Sequence, residues 1–194
     1  MFKNKFFLGF LFLSLLGILY YSLSDKEDFN TKTLKGFEKY QSDVLGMAES
    51  PIPNTGGSFD FFPPNEDFLL EADFKPESGE PYLLNMTDST QESAALAGTI
   101  SFSLKNKSFE ILIFDEGENY LLPFTDLSNG SSTYGGGRYL NIPKNALLKN
   151  KLTVDFNAAR NFYCAYNDNF ICPIPPQKNH LDILVEVGEK NFQK

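Results

Sequence analysis

Arg138 follows three glycines in the stretch STYGGGRYLNIP, a combination that suits either anion binding or a tight turn. A nucleotide-type anion loop needs a glycine-rich turn that runs into a helix, with Lys and Ser or Thr, or spaced glycines, to cradle the phosphates. Here the glycines lead into an alternating run that stops at Pro143. They are therefore assigned to a turn or bulge, and no cofactor motif is present. The arginine carries more information. Arg138 has the parity of Leu140 and Ile142, and a guanidinium on an apolar strand face requires either an internal partner or a polar cavity.

The stretch LTVDFNAARN offers such a partner. Leu152, Val154 and Phe156 share one face, Thr153, Asp155 and Asn157 the other, and Arg160 and Asn161 follow directly. The expectation is that Asp155 or Asn157 packs against the glycine turn and pairs with Arg138 or shares a pocket with it. The alternative is an ordinary exposed strand end with an Asn turn. Tyr134, Gly137, Arg138, Asp155, Asn157, Arg160 and Asn161 form the candidate ligand-binding set. Near the C-terminus, Glu186 and Glu189 in VEVGEK could work as paired carboxylates, and Asp155 or Glu189 could serve as a general base in a hydrolase. No serine, cysteine or histidine grouping marks a nucleophilic triad, so no catalytic residue is assigned.

Cys164 and Cys172 are the only cysteines and bound the short loop CAYNDNFIC. In an oxidising compartment such a pair reads first as a disulfide. The competing reading adds His180, the only histidine, as a third metal ligand, but a zinc site needs a fuller set, and no metal is assigned. The segment CPIPPQKNHL is extended because each proline fixes its own φ and biases the residue before it away from helix.

These residues need a scaffold, and hydrophobic periodicity supplies its outline. Leu34, Phe37, Tyr40 and Val44 recur at helical spacing, so LKGFEKYQSDVL predicts one amphipathic helix, weakened by Gly36. The proline- and glycine-rich stretch that follows predicts a wrapping loop that pins Phe59, Phe61 and Phe62 onto the body. Period-two alternation then takes over in FLLEADFKP and TISFSL, and after the turn KNKS the run FEILIF returns as the second strand of a hairpin. PYLLNM, NYLLPF, GRYLNI, KLTVDFN and LDILVEV are further strands. The predicted fold is all-β, a mostly antiparallel barrel or sandwich with one N-terminal helix.

The chain begins with MFKNK and then an uncharged run from Phe6 to Leu23, followed by DKED. Eighteen residues at the helical rise span roughly 27 Å, enough for a bilayer core. Residues 1–24 are read as a signal peptide or N-terminal membrane anchor, 25–33 as a tether and 34–194 as a single β-rich domain. Export to the periplasm or cell exterior follows, either tethered or, if the leader is cut, secreted. The net charge of −8 argues against nucleic acid, whose phosphates demand a basic footprint, and confines membrane contact to the leader. With 20 Phe, 9 Tyr and no Trp, aromatic rings must dominate the core.

The blocks FTDLSNGSSTYGGGRYL, VDFNAARNFYCAY, CPIPPQKNHL and VGEK occur in an order that resembles the signature of the bacterial family called domain of unknown function 1684. The resemblance covers residues 98 to 190 and extends back to the helix at Leu34. It implies emphasis on Asp126, Tyr134, Gly137, Arg138, Asp155, Asn157, Asn161, both cysteines, Asn179 and Glu189. The family pattern has two prolines where this chain has Phe162 and Tyr163, and an aromatic residue where it has Arg160. The resemblance supplies a family and no reaction. The functional expectation is a cell-envelope module that binds a small polar or anionic ligand around Arg138. An envelope hydrolase and a purely structural envelope protein are the alternatives.

Overall fold

The computed structural model describes residues 9–16, 27–52, 56–77 and 81–194. Residues 9–16 form helix α1, and most of the apolar run from Phe6 to Leu23 lies outside the described residues. Among the described residues, no helix is long and apolar enough to cross a membrane. Helix α2 spans Phe29–Leu45, so the stretch expected to be a tether is already helical at Phe29. The cause is local: the Asp28 carboxylate accepts the Thr31 amide at 3.3 Å and satisfies one of the orphan donors of the first turn. The apolar stripe then buries Phe37 and Val44, and this tertiary packing outweighs the cost of Gly36.

The strands are β1 (Leu69–Pro76), β2 (Tyr82–Asn85), β3 (Gln91–Ala94), β4 (Leu96–Leu104), β5 (Lys107–Glu116) and β6 (Asn119–Asp126). They continue with β7 (Arg138–Pro143), β8 (Leu147–Leu148), β9 (Lys151–Asp155), β10 (Arg160–Asn161) and β11 (His180–Leu181). The main sheet runs β10-β7-β6-β5-β4-β1-β9-β8, and β11 adds a short parallel pairing to β6. All other ladders are antiparallel. The expected barrel does not form, because the hydrogen-bonded path ends at β10 and β8 instead of closing. The sheet nevertheless curls: β7 and β9 come within 8 Å, Cα to Cα, although four strands lie between them in the path.

Curling follows from the alternation. Phe74, Ile100, Phe102, Ile111, Ile113, Leu122, Phe124, Leu140, Leu152 and Val154 all belong to one buried cluster. A flat sheet of six strands spaced about 4.8 Å apart could not bring both margins onto one core. The opposite face is covered locally. The β2–β3 hairpin lies over Leu112, Phe114 and Leu121 through Leu84 and Tyr82, giving a small second layer.

The predicted strand LDILVEV is corrected. Only His180–Leu181 pairs, and residues 182–187 make no ladder, with bends at Asp182, Ile183 and Val187. Its alternation holds, since Leu181, Ile183, Val185 and Val187 are buried in the core. Part of the backbone that a ladder would have used is turned to a different partner, the Arg138 guanidinium.

Candidate functional site

Arg138 opens β7 directly after a turn that Gly137 makes possible. Gly137 has φ +90°, and a Cβ there would lie 2.7 Å from the Phe124 carbonyl oxygen and 2.8 Å from Pro175 Cγ. Register then decides where the arginine goes. Arg138 faces Phe124 across the β6–β7 ladder, and Asp126 lies two residues beyond Phe124 with the same inward parity. That diagonal brings the charges together: Arg138 Nη2 donates to Asp126 Oδ2 at 2.8 Å, and both side chains are 0% exposed.

The remaining Nη hydrogens are taken up by the C-terminal tail, while Nε is buried without a partner among the described residues. Nη2 also donates to the Val185 carbonyl at 2.7 Å, and Nη1 donates to those of Val187 at 2.6 Å and Glu189 at 3.3 Å. Asp126 Oδ1 accepts the amides of Ser128 and Val185 at 2.8 and 3.1 Å. Burial pulls Arg138 below its ordinary value while Asp126 pushes back, and an arginine in that balance stays charged. Asp155 and Asn157 are not its partners. Asp155 accepts the backbone amide and side-chain Nδ2 of Asn157 at 2.9 and 2.8 Å, and Asn157 exchanges two hydrogen bonds with the Asn65 backbone. They serve as a clasp between the end of β9 and the loop before β1.

Arg160 occupies a second setting, under α2. Its guanidinium carbon lies 4.6 Å from the Tyr40 ring centroid and 5.3 Å from those of Phe37 and Phe61, a cation–π cage built by the helix and the wrapping loop. Among the described residues only Nη1 is hydrogen-bonded, to the carbonyls of Ala159 at 3.1 Å and Asn157 at 3.5 Å. Arg160 lines a cleft of about 220 Å³ together with Lys32, Thr33, Gly36, Leu69, Asp155 and Asn157. Burial lowers its affinity for the proton, and the nearby Glu189 carboxylate counters the shift.

Glu189 joins the two arginines. Its carbonyl faces Arg138, while its fully buried carboxylate accepts the Asn161 amide at 3.0 Å and the Tyr166 hydroxyl at 2.8 and 2.9 Å. The Tyr166 hydroxyl lies 2.7 Å from that of Tyr40 on α2, completing a Tyr40–Tyr166–Glu189 chain. Removal from water pushes the Glu189 carboxyl up to about 7. Burial also raises both tyrosines well above their ordinary range, so they remain hydroxyl donors. Asn161 ties this centre to the tail through Nδ2 and the Lys190 carbonyl at 2.8 Å.

Tyr134 lies elsewhere, its hydroxyl directed at Cys164 Sγ at 3.7 Å. Cys164 and Cys172 both carry free thiols and are buried in one cluster with Phe162. His180 Nδ1 pairs with Thr125 Oγ1 at 3.0 Å on β6. Among the described residues, no group of three His, Cys, Asp or Glu side chains is arranged to hold a metal. The structure thus divides the candidate set among a sealed ion pair, a cleft under α2 and a thiol cluster. From the residues alone, three participants went unassigned: Asp126, Tyr40 and Tyr166. For Asp126 a signal existed in the parity it shares with Tyr120, Leu122 and Phe124 in NYLLPFTD.

Fold and site together define a mostly antiparallel β domain with a sealed arginine–aspartate core and a helix packed over a second arginine. The chain belongs to the family described as protein of unknown function (DUF1684), whose profile matches residues 57–190. It is similar to a solved structure, an uncharacterised protein from gene locus rrnAC0354 of Haloarcula marismortui. That similarity has 28% sequence identity and a TM-score of 0.67, over 82% of this chain and 92% of that one. No curated protein matches the chain.

Proposed function

We propose that this domain binds a small anionic or zwitterionic ligand in the cleft beneath α2, with Arg160 as the principal donor. The observation that carries the reading is a caged guanidinium lining a cleft of about 220 Å³ with only Nη1 hydrogen-bonded among the described residues. Lys32 adds a second cation from α2, and Asp155 supplies an acceptor on the opposite wall. A carboxylate or phosphate placed there meets planar donors backed by aromatic rings, a setting in which charge-assisted hydrogen bonds are strong. Arg138 does not share this role, because all four of its Nη acceptors are internal. A hydrolase reading is less favoured, since both Glu189 oxygens are occupied and the carboxylate is fully buried. The uncharged run after MFKNK supports an exported setting for the binding module.

The test is thermal stabilisation by acetate, inorganic phosphate and glycine, since a ligand that binds only the folded state raises the unfolding temperature in proportion to the logarithm of its concentration. Saturable stabilisation by one of them is expected, abolished in Arg160→Gln and weakened in Lys32→Ala. Lys32 is on the exposed side of α2, so its variant keeps the experiment informative should the Arg160 variant unfold. Stabilisation by none of the three, or stabilisation unchanged in the Lys32 variant, would overturn the reading.

A further inference from the structure

On a different part of the molecule, Cys164 and Cys172 bound a tight loop that returns on itself. The Cys164 amide donates to Cys172 Sγ at 3.2 Å, so the second sulfur already lies against the backbone of the residue to which a bridge would join it. Tyr134 directs its hydroxyl at Cys164 Sγ from the other side, at 3.7 Å. The thiols are 8% and 4% exposed, and Cys172 forms part of the wall of a groove of about 290 Å³ whose other walls include Tyr139, Phe162, Phe170 and Ile171. Two buried, adjoining cysteines, Cys164 with a hydroxyl donor and Cys172 in the wall of an open, largely aromatic groove, form an arrangement that packing alone does not require.

We propose that Cys164 and Cys172 are a redox-active pair that cycles between the dithiol and an internal disulfide by exchange with an external disulfide entering along this groove. Cys164 is the attacking thiol. The Cys172 thiol and the Tyr134 hydroxyl hold it down to about 7, whereas Cys172 is pushed well above the usual thiol range, principally by Cys164 itself. In the first step the Cys164 thiolate attacks one sulfur of R–S–S–R. That bond breaks, and one RS⁻ leaves and takes up a proton. In the second step Cys172 loses its proton and attacks the Cys164 sulfur of the mixed disulfide, forming the internal bridge and expelling the second RSH. Two electrons pass from the protein to the external disulfide, which leaves as two thiols. The bridged loop is short, so the bond adds less to folding than a long-range bridge would, which suits a bond that opens and closes.

Glutathione is a suitable probe. Native protein equilibrated over a series of reduced to oxidised glutathione ratios is quenched with an alkylating reagent and weighed by mass spectrometry. A reversible transition from two alkylated thiols to none is expected, with the protein folded throughout. In native protein treated briefly with iodoacetamide, peptide mapping is expected to find Cys164 alkylated several-fold faster than Cys172. Cys172→Ser is expected to accumulate a single glutathione adduct on Cys164. The proposal fails if oxidised glutathione leaves both thiols free, if the bridge once formed resists reduced glutathione until the protein is unfolded, or if Cys172 proves the faster thiol. Wild-type protein alone decides among these, so a variant that misfolds does not leave the question open.

Discussion

At the scale of single residues, the molecule is organised by a charge placed where charges are costly. Isolating a guanidinium from water is tolerated here because four acceptors meet its four Nη hydrogens, one of them ionised. Removing one partner leaves the other buried and uncompensated. Arg138→Met and Asp126→Asn are each expected to lower unfolding free energy by about 3 to 5 kcal/mol, measured by urea denaturation. The double variant Arg138→Met, Asp126→Leu is expected to be less damaged than the two single losses added together, because no orphan charge remains. Half of this arrangement was readable from the chain. Parity with Leu140 and Ile142 puts Arg138 inward, and a buried arginine demands an acid. The choice of acid was not readable, because it depends on β6 being the neighbour of β7 in a register that sets Asp126 diagonal to Arg138. Asp155 was the nearer candidate by motif, but its strand pairs with β1 and β8 and not with β7.

Between elements, Glu189 is the joint. Its carboxylate links the tail to Tyr166 and, through the Tyr40 hydroxyl, to α2, which packs its own Phe37 ring 4.2 Å from Phe61 of the wrapping loop. The linkage has a definite sign. The folded protein holds the Glu189 proton up to about 7 against an ordinary 4.5, so both states are protonated below about pH 4.5 and its contribution is then greatest. As pH rises from 4.5 to about 7 the unfolded chain ionises first, and stability falls by an amount on the order of 3 kcal/mol before levelling off. Glu189→Gln is expected to flatten that segment of the stability profile, compared with wild type by urea midpoints across the same pH window. Several strands of the main sheet were legible because alternation and burial coincide in them, as in β7 and β9. The last one misled for a physical reason. In LDILVEV the side chains alternate as a strand's do, but the carbonyls of Val185 and Val187 bond a guanidinium instead of a neighbouring strand. Side-chain periodicity reports burial, and only a ladder makes a strand.

For the whole molecule, the consequence is that an open, curled sheet is closed by a tail with little regular structure. Alternation in the sequence specified an inward face, but whether the margins of the sheet join or stop short depends on the strand order, to which that pattern is blind. Here the margins stop short, and Val185 and Val187 reach the core from the tail while its backbone anchors at several separate points. Leu127 donates to the Ile183 carbonyl at 3.0 Å, Lys190 donates to that of Asp60 at 2.9 Å, and Ser58 bridges to Gln193. These contacts are long-range, so they are made only when the rest has folded, and each removes exposed apolar surface or an orphan polar group. A chain ending after Asp182 loses the three carbonyls that face Arg138 and the Glu189 joint together. It is expected to lose its cooperative urea transition and near-ultraviolet circular dichroism. A chain ending after Lys190 keeps those groups and gives up the contacts of residues 191–194, such as the Asn191 amide to the Ser132 carbonyl at 3.1 Å and the Phe192 ring 5.0 Å from that of Tyr166. It is expected to unfold cooperatively at a modestly lower midpoint. A chain ending after Asp182 that unfolded at the wild-type midpoint would show that the sheet is self-sufficient and that the sealed arginine does not depend on the tail.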